Sequence, residues 1–323
     1  MIADHKSRYL EFLRSKMLWD GVRAAPTLPT MGGVRGAPTL PGLKVAIDCS
    51  NGMSSLLVKE LFPGARIIND TIDGRFPAHS PNPLNAEARK ELSELVRREG
   101  LDCGVIFDGD ADRAMFVDER GEFVQPDYLI PVIAGAMGKS GVVLHDVRSS
   151  RGAIEALREA GFTPMMVPVG HAFAKPKMRE VGALCGGELA GHYYFSDFFN
   201  CDSGILAAMR VLGAFAKWKG DDKTRTFSQL MAPIISRYAN SGELNYRVEA
   251  KDAAIARVLE LAPELGEEIS RSEIDGVRVE FAEGWFNVRK SNTEPYLRLL
   301  IETHTSTQLE EWKKKLEDAI YES

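Results

Sequence analysis

The sequence predicts two related α/β domains followed by a smaller α+β C-terminal domain. Between residues 43 and 107, short apolar runs alternate with segments that carry apolar residues at helical spacing. The same alternation restarts after Gly138, and from residue 241 onward segments of period two are combined with two helices. Such α/β alternation predicts sheets with functional residues at the carboxyl ends of the strands.

The N-terminal segment is predicted to be an amphipathic helix over residues 5–18. It is followed by two near-copies of one Pro- and Gly-rich stretch, at 21–29 and 33–41, which we interpret as a linker that arose from a small tandem duplication. Two copies are too few for a solenoid, which needs about three stacked units.

The remaining elements divide the chain into three parts. In the first α/β domain we predict strands at 43–47, 66–68 and 103–107 and helices at 53–62 and 84–99. In the second we predict strands at 141–145 and 163–167 and helices at 150–160 and 203–217. The C-terminal domain is predicted to have strands at 244–248, 276–281, 285–290 and 296–302 and helices at 251–261 and 307–320. We expect the boundaries 1–42, 43–139, 140–240 and 241–323, with a separate core in each α/β domain.

Composition excludes several classes of function. The 323 residues include 40 basic and 46 acidic ones, so a net charge of −6 argues against nucleic-acid binding as the main function. No apolar run approaches the ~20 residues that span a bilayer, and the N-terminus shows no signal-peptide core, so no membrane partner is expected. The four cysteines form no Cys-x-x-Cys pair, which favours reduced thiols in a cytoplasmic protein.

The sharpest motif is Asp-Gly-Asp-Ala-Asp-Arg at residues 108–113, directly after an apolar strand. Its carboxylates are at Asp108, Asp110 and Asp112, a spacing that does not share one helix face but can converge in a tight loop. Converged carboxylates repel one another unless a hard divalent cation neutralises them, and Mg²⁺ prefers such oxygen ligands. A solvated acidic loop is the alternative, and the register of an EF-hand calcium loop does not fit.

Two further motifs are rich in hydrogen-bonding groups. Residues 289–293 offer Arg289, Ser291, Asn292 and Thr293, a density of donors that suits a phosphate dianion, although ordinary turn chemistry explains it as well. Residues 186–192 place Glu188 and His192 four apart among glycines, where a polyol could approach or the two side chains could pair with each other. Weaker signals at predicted strand ends come from Arg148 and His171.

In their order along the chain, these motifs resemble the α-D-phosphohexomutases, most closely bacterial phosphomannomutase/phosphoglucomutase. The resemblance covers about residues 43–323, and the stretch Phe-Pro-Ala-His-Ser-Pro-Asn-Pro at 76–83 matches the family's second domain. It implies transfer of a phosphoryl group between C1 and C6 of a hexose phosphate. It also implies Mg²⁺ as cofactor and a hexose 1,6-bisphosphate as intermediate.

The resemblance also assigns roles to the candidate residues. It implies Asp108, Asp110 and Asp112 as Mg²⁺ ligands; Arg113, Arg148 and His171 as catalytic residues; and Glu188, His192, Arg289, Ser291, Asn292 and Thr293 as substrate-binding residues. Arg148 stands where the family usually has a lysine, and Ala190 replaces a serine that commonly contacts the sugar.

The family's phosphoserine loop, Ser-His-Asn-Pro, does not occur in the sequence. Residues 1–42 then correspond to the end of a first domain, and the chain is either an incomplete gene product or the partner of a separately encoded first domain. Ser80 is a poor substitute because its motif has the wrong order and Pro81 removes a backbone donor. We therefore expect a phosphohexomutase chain that lacks its phosphoserine domain. A non-catalytic sugar-phosphate-binding module and an Mg²⁺ phosphatase with Asp108 as nucleophile are the alternatives, and the choice between mannose and glucose stays open.

Overall fold

The computed structural model of the chain describes residues 2–16, 42–291 and 295–321. The predicted N-terminal helix is present as α1 (Ile2–Ser15), and its buried Leu10 and Leu13 face the rest of the protein. The two near-copies at 21–29 and 33–41 lie outside the described residues, as do Asn292 and Thr293 of the predicted phosphate motif. Within the described residues, none of the helices is long and apolar enough to cross a bilayer.

The first sheet has five strands in the order β2-β1-β3-β4-β5. Its first three strands are parallel, and β4 and β5 are antiparallel additions. The strands are β1 (Val45–Asp48), β2 (Arg66–Ile68), β3 (Cys103–Phe107), β4 (Ala114–Asp118) and β5 (Phe123–Val124). The accompanying helices are α2 (Val58–Leu61) and α3 (Ala86–Glu99). The carboxyl ends of β1 and β3 therefore lie side by side at one edge, which is where Asp108 follows β3.

The second sheet repeats this arrangement, with the order β10-β9-β8-β6-β7 and parallel pairing of β6 with β7 and β8. Its strands are β6 (Val142–Asp146), β7 (Thr163–Val167), β8 (Cys185–Gly187), β9 (Tyr193–Phe195) and β10 (Cys201–Asp202). Its helices are α4 (Ile130–Ala136), α5 (Arg151–Glu159), α6 (His171–Val181), α7 (Gly204–Lys219) and α8 (Phe227–Ile235). The shared topology confirms that the two α/β units are related.

The third sheet is antiparallel, with the order β11-β16-β15-β14-β13 and β12 also paired to β16. Its strands are β11 (Ala239–Asn240), β12 (Leu244–Arg247), β13 (Glu268–Ser272), β14 (Val277–Phe281), β15 (Gly284–Lys290) and β16 (Tyr296–Thr303). Two helices, α9 (Lys251–Leu261) and α10 (Ser306–Tyr321), pack against it. The predicted fold class, two α/β units and a smaller α+β unit, is confirmed.

One expectation about the α/β units is wrong. The helix predicted over 53–62 is a short 3₁₀ turn at Met53–Leu56 followed by the four-residue α2. The two pieces meet at Leu57, whose backbone (φ −125°, ψ −31°) departs from helical geometry. Each α/β unit has an apolar cluster of its own, around Leu92 in the first unit and around Met178 in the second. A larger cluster also joins the two units and extends from Leu10 to Ile234. The C-terminal unit has its own core around Trp312.

Candidate active site

The metal loop, residues 108–113, brings its three acidic side chains together. One carboxylate oxygen from each of Asp108, Asp110 and Asp112 lies within 4.8 Å of the other two. Asp108 is buried at the end of β3, where its two oxygens accept hydrogen bonds from the Arg113 backbone N–H (3.1 Å) and from Arg113 Nε (2.7 Å). Ala111 adopts a left-handed conformation (φ 65°), which turns the loop back on itself so that the carboxylates converge.

Glycines on both sides allow other backbone segments to approach the metal loop. A Cβ atom at Gly52, in the turn after β1, would lie 2.5 Å from the Gly109 carbonyl oxygen. A Cβ at Gly204, the first residue of α7, would lie 2.4 Å from the Arg113 carbonyl oxygen. The Gly204 N–H itself donates to the Ala111 carbonyl (3.2 Å). The loop is therefore fixed by the first and the second α/β unit together.

The electrostatics of the metal loop suit a divalent cation. The pKa of Asp112 is raised to about 7, mainly by burial. Attraction from His192 lowers this pKa, and repulsion from Asp108 and Asp110 raises it. Within the described residues, the buried Oδ1 of Asp112 has no hydrogen-bond partner. A hard cation would supply that partner and remove the repulsion, so the residues present fit Mg²⁺. Both oxygens of Asp108 accept a hydrogen bond from Arg113, and each keeps a lone pair that a cation can use.

The polyol loop, residues 186–192, begins inside β8, because its first two glycines are the last two residues of that strand. Glu188 is buried and accepts a hydrogen bond from the Tyr194 hydroxyl (2.5 Å). His192 is linked to Asp202 through Nδ1 (2.9 Å), and Lys175 Nζ forms an ion pair with the other oxygen of that carboxylate (2.7 Å). Burial raises the pKa of Asp202, but these two partners outweigh burial and hold the pKa at about 2. Asp202 thus fixes the orientation of the His192 ring.

The metal loop and the polyol loop are joined directly. The Ala114 N–H donates to the Gly191 carbonyl (3.2 Å), and Arg113 and His192 form an isolated antiparallel bridge. His192 Nδ1 also lies 3.6 Å from a carboxylate oxygen of Asp112. The two loops, which are about 80 residues apart in the sequence, therefore form one site at the junction of the two sheets.

Arg148 connects the second unit to the C-terminal unit. Its guanidinium contacts Asp146 Oδ2 through Nη2 (2.6 Å) and Nε (3.1 Å) and reaches Glu243 Oε1 through Nη1 (3.2 Å). The same oxygen of Glu243 accepts a hydrogen bond from Arg289 Nη2 (3.0 Å). The other oxygen accepts one from Arg298 Nη1 (3.0 Å). Two predicted residues, Arg148 and Arg289, are thus held by one carboxylate that sequence reasoning missed.

A cavity of about 650 Å³ lies where the three units meet. Its walls include Asn82 from the first unit, Arg148 and Leu189 from the second, and Glu243 and Arg298 from the third. Such a volume suits a ligand of the size of a hexose phosphate.

The remaining candidate residues, His171, Ser291 and Ser80, make few contacts with the rest of the described site. His171 begins α6 and is exposed, and the structure brings it into no polar contact with the described part of the site. The Ser291 backbone N–H donates to the Tyr296 carbonyl (2.9 Å) at the start of the partly described phosphate motif. Ser80 is exposed, and its hydroxyl accepts a hydrogen bond from the Asn82 N–H (3.3 Å).

Three family models match the chain in succession. They are described as phosphoglucomutase/phosphomannomutase alpha/beta/alpha domain II (residues 35–121), alpha/beta/alpha domain III (125–238) and the C-terminal domain (243–319). The first two segments meet near residue 123, upstream of the expected boundary at 139. Because α4 packs against α5 and α7, we propose that α4 belongs to the second unit.

Individual proteins agree with these matches. A phosphomannomutase of Methanocaldococcus jannaschii is 34% identical over 284 residues, which cover 86% of this chain and 61% of that protein. The crystal structure of a phosphoglucomutase/phosphomannomutase family protein from Burkholderia thailandensis superposes with a TM-score of 0.77 at 25% identity and covers 98% of this chain and 64% of that one. Aspergillus fumigatus N-acetylphosphoglucosamine mutase, solved with GlcNAc-6P and magnesium, shares the fold (TM-score 0.62, 14% identity, 98% of this chain and 65% of that one). The chain spans about 60% of the length of the curated relatives it matches.

Proposed function

Because the chain belongs to the phosphoglucomutase/phosphomannomutase family, we propose that it provides the metal-, sugar- and phosphate-binding parts of a phosphohexomutase. The reaction is the interconversion of hexose 6-phosphate and hexose 1-phosphate through a hexose 1,6-bisphosphate. The observation that carries the proposal is the meeting of the metal loop, the polyol loop and an arginine cluster at one junction. Their residues come from three separate units, which a local turn or a solvated acidic loop would not require.

The geometry suggests a role for each group. Asp108, Asp110 and Asp112 would hold Mg²⁺, which would supply positive charge for the phosphoryl group that is transferred. Arg113 is oriented by Asp108 through Nε and donates to Asn82 Oδ1 through Nη1 (3.1 Å), so Nη2 is the nitrogen that can meet a phosphate oxygen. Glu188 can accept hydrogen bonds from two sugar hydroxyls.

The remaining contacts suggest a group that carries a proton and a subsite for the phosphate that does not react. His192, with Nδ1 held by Asp202, keeps Nε2 available to hold or release a proton at a sugar oxygen. The non-reacting phosphate would be bound at Arg289 and the adjoining residues 291–293. Its subsite is completed from the second unit by Arg148, whose guanidinium already reaches into the same cluster.

The phosphoryl donor is the missing part of this arrangement. The 323 residues contain no Ser-His-Asn-Pro stretch, and Ser80 is engaged in a local turn ahead of Pro81. We therefore propose that a phosphoserine domain of the family type, on the same or on another polypeptide, supplies the donor. Hexose phosphates are intracellular metabolites and the four cysteines are free, so a cytoplasmic location is part of the proposal.

A coupled mutase assay tests the proposal. The purified 323-residue chain receives mannose 1-phosphate or glucose 1-phosphate, Mg²⁺ and a catalytic amount of the sugar 1,6-bisphosphate. We expect no turnover by this chain alone, turnover when a separately expressed phosphoserine domain is added, and loss of that turnover in Asp110→Asn. Turnover by the chain alone, with a phosphoryl adduct on Ser80 that Ser80→Ala abolishes, would contradict the assignment of the donor.

A second candidate function is a non-catalytic sugar-phosphate-binding module. It is favoured by the combination of ordered ligand loops and the absence of a donor serine motif from the sequence. It predicts binding of glucose 1,6-bisphosphate by calorimetry together with no turnover even when the phosphoserine domain is present. Turnover in the reconstituted assay would exclude it.

A further inference from the structure

Glu243 lies at the connection between β11 and β12, on the link between the second unit and the C-terminal unit. Its carboxylate accepts hydrogen bonds from three guanidiniums at 3.0–3.2 Å, those of Arg148, Arg289 and Arg298. Burial raises the pKa of Glu243, but attraction from these guanidiniums outweighs burial and keeps the pKa below its usual value. The side chain is therefore an anion held in place by cations from two units.

Two of the three arginines that contact Glu243 are nearly closed to solvent, whereas the third, Arg298, is 20% exposed. The side chains of Arg148 and Arg289 are each 3% exposed, whereas that of Glu243 is 16% exposed and lines the cavity. Within the described residues, Nε of Arg289 has no hydrogen-bond partner, although it is buried. Arg148 and Arg298 line the cavity together with Glu243, but Arg289 does not, so a ligand in the cavity meets the Glu243 carboxylate before it meets the Arg289 guanidinium.

Charge leads to the same conclusion. The three guanidiniums face three carboxylates, those of Asp146, Glu188 and Glu243. Glu188 is the most distant of them, at 4.0 Å from Arg148. A phosphate dianion that entered this neutral cluster would add negative charge beside existing carboxylates, which is unfavourable unless one of them leaves. Asp146 and Glu188 are buried at the ends of β6 and β8, while Glu243 belongs to a turn. Glu243 is therefore the carboxylate that can move.

We propose that Glu243 is a displaceable counter-ion that occupies the phosphate subsite of the free chain and leaves when the phosphate of the substrate binds. The inference rests on the proposed binding of a hexose phosphate at Arg289. Displacement also breaks the contact between Arg148 and Glu243, which joins the second unit to the C-terminal unit. The arrival of phosphate thus releases one tie between these units, and the cost of displacement lowers the affinity for hexose phosphates.

The test is calorimetric titration of the full chain with glucose 1-phosphate in the presence of Mg²⁺. Glu243→Gln keeps the shape of the side chain and removes its charge, so we expect affinity to rise about tenfold, because the phosphate no longer displaces an anion. Glu249→Gln is the matched control, because it makes the same change of net charge at an exposed site six residues away and is expected to leave the affinity unchanged. A result in which Glu243→Gln binds no more tightly than the wild type would overturn the proposal and make Glu243 an orienting partner of the arginines.

Two further variants separate the possible failures. Glu243→Asp keeps the charge on a shorter side chain and tests the proposal if three uncompensated arginines unfold the glutamine variant. We expect an affinity between those of wild type and Glu243→Gln, and an affinity below wild type would count against displacement. Arg289→Ala tests the phosphate subsite itself, because undiminished binding there would refute the proposed function and not only the role of Glu243.

Discussion

Replacement of Gly52 by alanine would force a methyl group into the backbone of the metal loop. The new Cβ would lie 2.5 Å from the Gly109 carbonyl oxygen and 3.0 Å from the Gly109 Cα and carbonyl carbon, whereas ordinary contacts begin at 3.4 Å. The neighbouring atoms are all backbone, so no side chain can rotate away. The turn after β1 and the metal loop must therefore separate by about 0.9 Å.

The expected cost follows from this separation. Overpacking of a closely packed interior costs about 1–3 kcal/mol, and a displacement of about 1 Å at a reacting group costs up to about a hundredfold in function. If this whole free-energy cost falls on cation binding, the dissociation constant for the cation rises by about 5- to 150-fold. The hydrogen bond from the Met53 N–H to the Gly109 carbonyl is expected to be lost as well.

Binding of Mn²⁺, followed by the electron paramagnetic resonance signal of the free ion, measures this effect independently of turnover. Gly74→Ala is the matched control, because no atom lies within 4 Å of a Cβ at that position. Circular dichroism would establish that each variant is folded. A folded Gly52→Ala protein whose Mn²⁺ affinity stays within about twofold of wild type would refute the argument that this contact sets the loop geometry.

Two further predictions concern stability. Burial lowers the pKa of His145 to about 4 from ~6.5 in an unfolded chain, so the unfolded state binds more protons between these values and the free energy of unfolding falls as pH drops through this window. Urea unfolding should show that, between pH 7 and pH 4, the free energy of unfolding falls by about 3 kcal/mol more in wild type than in His145→Gln. Equal losses in the two proteins would contradict a lowered pKa at His145. Leu13→Ala should cost about 2–5 kcal/mol in the same assay because Leu13 is fully buried, whereas the exposed Glu11→Ala should change little; equal, small effects would show that α1 is not docked.

The metal loop could be predicted from sequence because its three carboxylates are neighbours in the chain. A strand followed at once by Asp108, Asp110 and Asp112 leaves few other geometries, and the structure brings the three together. The partners of Glu243 lie 95, 46 and 55 residues away, so no local pattern connects them. Asp202 was missed for a related reason, because only the pairing of β9 with β10 brings it to His192.

A regular polar face made some helices predictable, but burial alone does not decide the outcome, because the mostly buried α7 was predicted and the mostly exposed α6 was not. The sequence predicts α3 and α10, which carry regular polar faces. It does not predict α4, in which all but one residue are buried, so no polar stripe marks its period. The opposite error occurred over 53–62, where helical apolar spacing is present but the backbone departs from helical geometry at Leu57 (φ −125°).

The apolar cluster shared by the two α/β units has a consequence for how substitutions combine. If the metal loop and the polyol loop bind a cation and a sugar, a substitution at Phe116 or Phe215 in the shared cluster is expected to change both affinities. The core around Trp312 belongs to the C-terminal unit alone, whereas a small cluster of Leu189, Trp285 and Leu300 joins that unit to the polyol loop. Effects of substitutions within the shared cluster should therefore be non-additive across both α/β units. Substitutions around Trp312 should combine with them additively, while those at Trp285 or Leu300 should reach the polyol loop.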